Sequence, residues 1–436
     1  MPAPVLAAVS VASRSASFRP AYDADIAVVG GGIIGTAAAL ALQADGYRVL
    51  IVEPNEVGAG TAAGSAGYLH DGEIFPLAEP GLLAKLPRML LDPLGPLVIQ
   101  PAYLPLLVGW GRRFLRASRR PAIARAIAGL ASLNRLAVDS TVALAEDSGA
   151  GHLLARAGGL KVCRDERTLE AVAAELLTLK EAGIEAQTIG RDALLALEPA
   201  ISPEVAGAVF FPTSAHCTDP QAFGERLAAR ARGASIRNRA TKLTQIADKS
   251  WVVELDGATR QRISAQRVLI CAGAWSAPLM RSLRYTVPLA MARGYHLMLS
   301  NPGIELKHPI IFFEPHFAAT PMLDGIRLAG TVEFAPAHAP MKPHRSEMLY
   351  DLAKRYLPRL RSEPSTMWMG VRSMTPDSLP VIGKAQRHEN LYYSFGHGHL
   401  GFTQAAISAR CIADVIGGRT PPIDVAPFDL DRFARG

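Results

Sequence analysis

The sequence predicts an α/β protein that combines a parallel β-α-β unit with a region of antiparallel strands. Residues 25–53 form an apolar strand, a glycine turn, a helix of small residues and a second apolar strand. Residues 267–276 repeat the pattern of strand, glycine turn and helix, whereas residues 288–333 contain successive strand-like segments. Alternation of strands with helices indicates a parallel sheet, and consecutive strands indicate an antiparallel one.

The turn after the first strand has glycine at the three positions that a dinucleotide-binding motif requires. Gly30 permits the tight turn, Gly32 lets the backbone approach a pyrophosphate, and Gly35 lets the helix pack against the strand. Glu53 ends the second strand, where a carboxylate can accept hydrogen bonds from a ribose diol. The three glycines and Glu53 together predict a dinucleotide-binding site in which the phosphates of the ligand lie at a helix N-terminus. The alternative is an ordinary glycine turn in an α/β domain.

Composition narrows the class of protein. A chain of 436 residues predicts two to three domains, and 49% hydrophobic residues are enough for a large core. The formal net charge of +7 accompanies no nucleic-acid motif, and an anionic substrate, an anionic cofactor or a membrane surface explains it at least as well as a nucleic acid. The four cysteines form no C-x-x-C pair. This usage favours buried thiols in a reducing compartment and hence a cytoplasmic location.

Two segments raise the question of targeting or of membrane contact. Residues 1–22 are rich in Ala and Ser and contain no acid, which favours a disordered extension, with a targeting segment as the alternative. Residues 85–147 have long apolar-periodic stretches typical of helices. Within this region, residues 101–120 join an apolar half to a basic half. A helix of this kind is either part of a substrate domain, with its basic end in solvent, or lies in a membrane interface. In the second case Trp110 would lie at the level of the lipid headgroups. The basic half contains Arg112, Arg113, Arg116, Arg119 and Arg120.

Five further motifs occur in order along the chain. They are GTAAGSAGYL (60–69), LICAGAW (269–275), RGYHLML (293–299), GVRSMTPDSLPVIG (370–383) and YSFGHGHLGFT (393–403). With the opening β-α-β unit, they resemble the superfamily of FAD-dependent D-amino-acid oxidases and glycine oxidases. The third motif and the TPDSLPVIG and FGHGHLG runs most resemble its bacterial D-amino-acid dehydrogenase branch.

The resemblance implies a Rossmann-like FAD-binding domain, whose mixed sheet contains a β-meander, and an α+β substrate domain with an antiparallel sheet. Residues 23–80, 205–285 and 366–436 are expected to form the FAD-binding domain. Residues 81–204 and 286–365 are expected to form the substrate-binding and helical region.

The resemblance also implies non-covalent FAD, because no cysteine lies in the final flavin loop, unlike in sarcosine oxidase-like relatives. The glycines of that loop allow backbone to lie against a flat ring, and the helix after it can stabilise a reduced, anionic flavin. A zinc site at its two histidines lacks further ligands, so no metal is predicted. The expected FAD contacts are Gly30, Gly32, Ile33, Ile34, Gly35, Glu53, Pro54, Thr61, Ala62, Ser65, Ala66, Gly67, Tyr68, Leu243, Gly273, Gly396, His397, Gly398, His399, Leu400, Gly401, Phe402 and Thr403.

Three residues are candidates for a role in substrate binding or catalysis: Arg372, Tyr295 and His399. Arg372 matches the family arginine that holds the amino-acid carboxylate, which a guanidinium fork suits; its alternative role is a salt bridge to Asp377. Tyr295 either lines the pocket or packs between layers, and His399 either contacts flavin or satisfies buried carbonyls. Ala318 stands where glycine oxidase-like enzymes carry a tyrosine, which implies room for a larger substrate side chain.

By this resemblance the protein is an oxidoreductase that deaminates small D-amino acids to 2-oxo acids and ammonia. Hydride would pass from Cα to flavin N5 and on to a quinone-type acceptor, with peripheral contact to the inner membrane as an extension of this hypothesis. No side chain stands out as a general base, and no nucleic-acid partner is expected. One alternative is oxidation of a secondary amine, such as a proline derivative or an N-methyl amino acid. Another is a flavin-binding subunit of an electron-transfer complex.

Overall fold

A computed structural model describes residues 22–78, 95–231, 235–256, 261–361 and 365–434. Apart from Tyr22, the predicted disordered extension lies outside the described residues, and so does the start of the predicted helical stretch before residue 95. The strands are β1 (Ala24–Val29), β2 (Val49–Glu53), β3 (Tyr68–Leu69), β4 (Leu97–Ile99), β5 (Leu154–Ala155), β6 (Gly159–Cys163), β7 (Gln187–Gly190), β8 (Gly207–Phe211), β9 (Ala215–Cys217), β10 (Ser235–Arg237), β11 (Arg239–Gln245), β12 (Trp251–Asp256), β13 (Arg262–Ile270), β14 (Ala290–Leu299), β15 (Ile310–Phe312), β16 (Phe317–Met322), β17 (Gly325–Phe334), β18 (Ser365–Met374), β19 (Val381–Lys384) and β20 (Leu391–Phe395).

The α-helices lie mostly in the connections between these strands. They are α1 (Ile33–Ala44), α2 (Leu104–Ala117), α3 (Arg120–Asp147), α4 (Glu166–Ala173), α5 (Leu176–Glu181), α6 (Arg191–Leu197), α7 (Pro220–Arg230), α8 (Ser276–Ser282), α9 (His344–Lys354) and α10 (Gly401–Gly417). No helix in the described part of the chain is long and apolar enough to cross a membrane.

The first large sheet has the order β10-β2-β1-β13-β12-β11, and β20 joins it beside β13. β1 runs parallel to β2 and β13, while β11, β12 and β13 form an antiparallel meander. The predicted mixed sheet with a β-meander is therefore confirmed. Ile26, Ala27 and Val28 are fully buried, as expected for a central strand covered on both faces.

The second large sheet has the order β18-β14-β17-β16-β15-β6-β8-β7, mostly antiparallel, as predicted for the substrate domain. Two of its strands overlap segments that the sequence analysis placed in the FAD-binding domain: β8 lies within 205–285, and all of β18 except Ser365 lies within 366–436. Hydrogen bonding to non-adjacent strands decides which sheet a segment joins, and the predicted domain boundaries stay a prediction. The short strands β3, β9 and β5 form a third sheet.

Helix α1 covers the first sheet and packs on α10, which in turn packs on α3. The small side chains of Ala37, Ala38 and Ala39 are fully buried at this contact, so the helix axes can approach closely. This packing places the N-termini of α1 and α10 on the same side of the first sheet, next to the ends of its parallel strands.

Candidate active site

A cavity of about 1010 Å³ is bordered by residues of both large sheets. It collects most of the predicted FAD contacts, although they are far apart in sequence. Those on its wall are Gly30, Gly32, Ile33, Ile34, Glu53, Pro54, Thr61, Ala62, Ser65, Ala66, Tyr68, Gly273, Gly396, His397, Gly398, His399, Leu400, Gly401, Phe402 and Thr403.

One end of the cavity fits the pyrophosphate of a dinucleotide. Gly30 has a φ of +106°, and a Cβ there would lie 2.5 Å from the carbonyl oxygen of Cys271. A Cβ on Gly32 would meet no atom within 4 Å, so open space adjoins the N-terminus of α1. No side chain caps that helix, which leaves its first N–H groups free to bind an anion.

Glu53 lies beside this turn. Its Oε2 accepts a hydrogen bond from the N–H of Gly31 at 2.8 Å, and its Oε1 accepts one from the N–H of Asn55 at 3.0 Å. These bonds hold the carboxylate at the cavity wall, where its remaining lone pairs can accept from a ribose diol.

Two predicted glycine contacts shape the cavity without bordering it. A Cβ on Gly35 would lie 1.9 Å from the carbonyl oxygen of Gly30, so Gly35 lets α1 pack against the turn, as its motif position predicts. Gly67 has a φ of +70° and lies against the carbonyl oxygen of Cys217, so it fixes the course of the early loop.

Leu243 does not border the cavity, and its adenine-side contact stays a prediction. It is 3% exposed within the core below the meander. The cavity is instead bordered at the start of the same strand by Arg239, Ala240 and Thr241. Burial of an apolar strand residue in the core is the stronger driving force.

The two histidines of the glycine loop before α10 have different surroundings. The Nε2 atom of His397 lies 3.0 Å from the hydroxyl of Ser408, and burial lowers the pKa of His397 to about 3. This neutral imidazole is engaged inside the protein. His399 keeps about a third of its side chain exposed, and its Nε2 lies 4.0 Å from the Glu73 carboxylate. Among the described residues, His399 donates to no backbone carbonyl.

Arg372 borders the cavity from β18. Pairing of β14 with β18 places it opposite Ala292 and next to Gly294. A Cβ on Gly294 would lie 2.3 Å from the Arg372 Cζ, so this glycine makes room for the guanidinium. The Nη1 atom donates to the carbonyl oxygen of Thr331 at 3.2 Å.

No carboxylate of the described residues pairs with Arg372. Asp377, the alternative partner, is bound to Arg432, whose Nε donates to its Oδ2 at 2.8 Å. Burial alone lowers the pKa of Arg372 to about 10, which leaves the guanidinium charged at neutral pH. A buried cation without a counter-ion is costly, so this position suits an anionic ligand group.

Tyr295 lies on the opposite face of β14, a position that favours packing between layers over lining the pocket, and its catalytic role stays a prediction. It does not border the cavity, and its hydroxyl donates to Oε2 of Glu333 at 2.5 Å. Glu333 also accepts from Gln100 at 2.9 Å and pairs with Lys342 at 2.8 Å. The tyrosine therefore belongs to a buried polar network that joins β17 to the following loop.

Glu73 is a cavity residue that the sequence analysis did not identify. It borders the cavity together with His70 and His316, although no acid in the sequence stood out. The one feature of the sequence that could have identified Glu73 is its position just after the GTAAGSAGYL loop, because that loop borders the cavity and the chain continues along the cavity wall. Ala318 also borders the cavity, where its methyl group takes up little space.

Comparison with known proteins shows which family the chain resembles. The model of the family described as FAD dependent oxidoreductase matches residues 25–415. A D-amino-acid oxidase of Bradyrhizobium diazoefficiens is 32% identical over 94% of this chain and 98% of its own length. A D-amino acid dehydrogenase of Chromohalobacter salexigens is 28% identical over 94% of this chain and 99% of its own.

Solved structures share the fold. Glycine oxidase from Geobacillus kaustophilus superimposes with a TM-score of 0.72 at 20% identity, covering 94% of this chain and 99% of that one. L-Proline dehydrogenase from P. horikoshii superimposes with a TM-score of 0.72 at 17% identity, covering 95% and 99%.

Proposed function

Because the chain belongs to the family of FAD-dependent oxidoreductases, we propose that it oxidises D-amino acids to 2-oxo acids and ammonia. When bound, FAD supplies the hydride acceptor: the neutral amine gives up the Cα hydride, and its nitrogen lone pair forms the C=N bond that water hydrolyses. Relatives named D-amino-acid oxidase and D-amino acid dehydrogenase, aligned over 94% of the chain, support this substrate class.

The observation that carries the proposal is the unpaired, buried guanidinium of Arg372. It borders the same cavity as the residues that fit FAD and meets no carboxylate of the described residues. A planar fork of donors binds a carboxylate through two parallel hydrogen bonds. Such a bond restricts how the substrate can turn and so helps to position the Cα–H bond that breaks.

The proposal is tested by anaerobic mixing of the FAD-loaded protein with D-amino acids, L-amino acids and N-alkyl amino acids. Loss of the oxidised flavin absorbance reports hydride transfer without any electron acceptor. We expect D-amino acids to reduce the flavin fastest. Faster reduction by N-alkyl or L-substrates would assign another amine class, and no reduction by any of them would contradict the proposal.

We also propose that the electrons leave to a quinone-type acceptor at an anionic membrane surface, reached through helix α2. This helix exposes four large apolar side chains: Leu104 is 51% exposed, Leu106 68%, Val108 56% and Leu115 49%. Trp110 is not at headgroup level, because its Nε1 donates to the carbonyl oxygen of Met374 at 3.0 Å and anchors the helix. The basic end begins on the same helix, with Arg112 and Arg116 exposed.

Vesicle binding tests the membrane contact. Replacing Arg112, Arg113 and Arg116 together by Gln should weaken binding to anionic vesicles by ~1 kcal/mol per charge at low salt. Flavin reduction by substrate should be unchanged, because none of these residues borders the cavity. Equal binding of both proteins would contradict the contact, and rapid reoxidation by oxygen with stoichiometric peroxide would contradict the quinone acceptor.

A further inference from the structure

The cavity contains two carboxylates among its described lining residues, Glu53 and Glu73. Glu53 is held by the backbone of the dinucleotide turn. Glu73 follows β3 and reaches the part of the cavity that also contains His70, His316 and His399. Its side chain is 27% exposed, so most of it is removed from solvent.

Glu73 is charged but lacks hydrogen-bond donors. Burial by itself would raise its pKa, but the charge of Lys161 and the nearby imidazoles outweigh burial and hold the pKa below its usual value. The nearest nitrogen atoms are Nε2 of His70 at 3.7 Å and Nε2 of His399 at 4.0 Å. No side-chain or backbone group of the described residues donates a hydrogen bond to this carboxylate, which is partly exposed to the cavity and can accept hydrogen bonds from a ligand there.

The two neighbouring imidazoles do not neutralise this charge at pH 7. Burial lowers the pKa of His70 to about 4 and also lowers that of His399. The Nε2 atom of His70 is buried without a hydrogen-bond partner, on the side that faces Glu73. The ammonium of Lys161 lies 3.8 Å from Glu175, so its strongest pairing is with another acid.

Glu73 is also separated from Arg372. The pKa of Arg372 responds to burial alone, whereas that of His399 responds to both Glu73 and Arg372. The charges of both groups therefore act on the imidazole of His399, and all three residues border the same cavity. A substrate whose carboxylate is bound at Arg372 would place its side chain in this cavity, which Glu73 and Ala318 also border.

We propose that Glu73 is a specificity-determining residue that binds a positively charged group at the end of the substrate side chain. The preferred substrate class is then D-amino acids with an amine or a guanidinium on the side chain. This inference rests on the proposed function, since it uses Arg372 as the carboxylate site. A cationic group would supply the donors that the carboxylate lacks and would balance its charge.

The test compares kcat/KM for flavin reduction by D-arginine and D-lysine with that for D-glutamine and D-norleucine, which are neutral and of similar length. Glu73→Gln should lower kcat/KM for the cationic substrates by about 30-fold or more, since one member of a desolvated charge pair is lost. The neutral substrates should change less than about threefold. Glu73→Lys should shift the preference toward D-glutamate.

Controls separate the outcomes. Glu225→Gln, at an exposed site on α7, should leave the whole profile unchanged, and FAD content should confirm that each variant is folded. An equal loss for all substrates, or no preference for cationic ones in the unchanged protein, would overturn the role of Glu73. Failure of every D-amino acid to reduce the flavin would instead overturn the proposed function.

Discussion

Replacing Arg372 by Ala should abolish substrate binding while FAD remains bound. The guanidinium is buried, its charge is opposed by no acid of the described residues, and its one protein bond is to the carbonyl oxygen of Thr331. The substrate carboxylate would thus lose its charged partner in a desolvated site, which costs ~2–5 kcal/mol. This corresponds to a decrease of about 30-fold to several-thousand-fold in kcat/KM.

The assay is anaerobic flavin reduction over a range of D-amino-acid concentrations, with FAD content measured after acid release. Arg372→Lys should be intermediate, because an ammonium keeps the charge but loses the two-point fork. Arg226→Ala, on the exposed side of α7, is the matched control and should behave as the unchanged protein. If Arg372→Ala reduces its flavin with unchanged efficiency, the arginine is structural and the carboxylate site lies elsewhere.

Three further predictions concern the cofactor and the stability of the fold. Gly30→Ala should purify without FAD, because its Cβ would lie 2.5 Å from the carbonyl oxygen of Cys271 and its φ is +106°; normal FAD content would refute this. Glu53→Gln should weaken FAD binding about 10- to 100-fold by fluorescence titration, since bonds to a charged acceptor contribute ~1.5–3 kcal/mol; unchanged affinity would exclude the ribose contact. Burial lowers the pKa of His296 to about 4 and that of His397 to about 3, so the folded state binds fewer protons than the unfolded state. Their contribution to the free energy of unfolding is complete above pH ~6.5 and falls by up to ~1.4 kcal/mol per pH unit for each histidine as the pH decreases toward 4. Thermal unfolding across this range should show the decrease, His296→Gln should make it shallower, and a flat profile would contradict buried neutral imidazoles.

Local sequence determined the cofactor end of the site. The spacing of Gly30, Gly32 and Gly35 is confirmed by a turn in which added side chains would meet backbone or occupy the phosphate space. Asp219 caps α7 in the same local way: its Oδ1 accepts hydrogen bonds from the backbone N–H groups of Gln221 and Ala222. These features depend on contacts within a few residues, so the sequence contains the information that specifies them.

The direction of side chains on strands needed the tertiary structure. Tyr295 and Gly294 are adjacent, yet the first joins the Glu333 network and the second borders the cavity beside Arg372. Side chains alternate between the faces of a strand, and a strand buried on both faces has no polar side that reveals which face meets the ligand.

The sequence by itself determined that the chain has a dinucleotide turn, an arginine suited to a carboxylate and a second, antiparallel sheet. Only the tertiary structure decided that Glu73, His399 and Arg372 share one cavity and that Asp377 is already paired with Arg432. The physical reason is that local motifs are specified by short-range sterics and hydrogen bonds. The charge balance of a pocket depends instead on which distant segments pack together, and no local pattern records that.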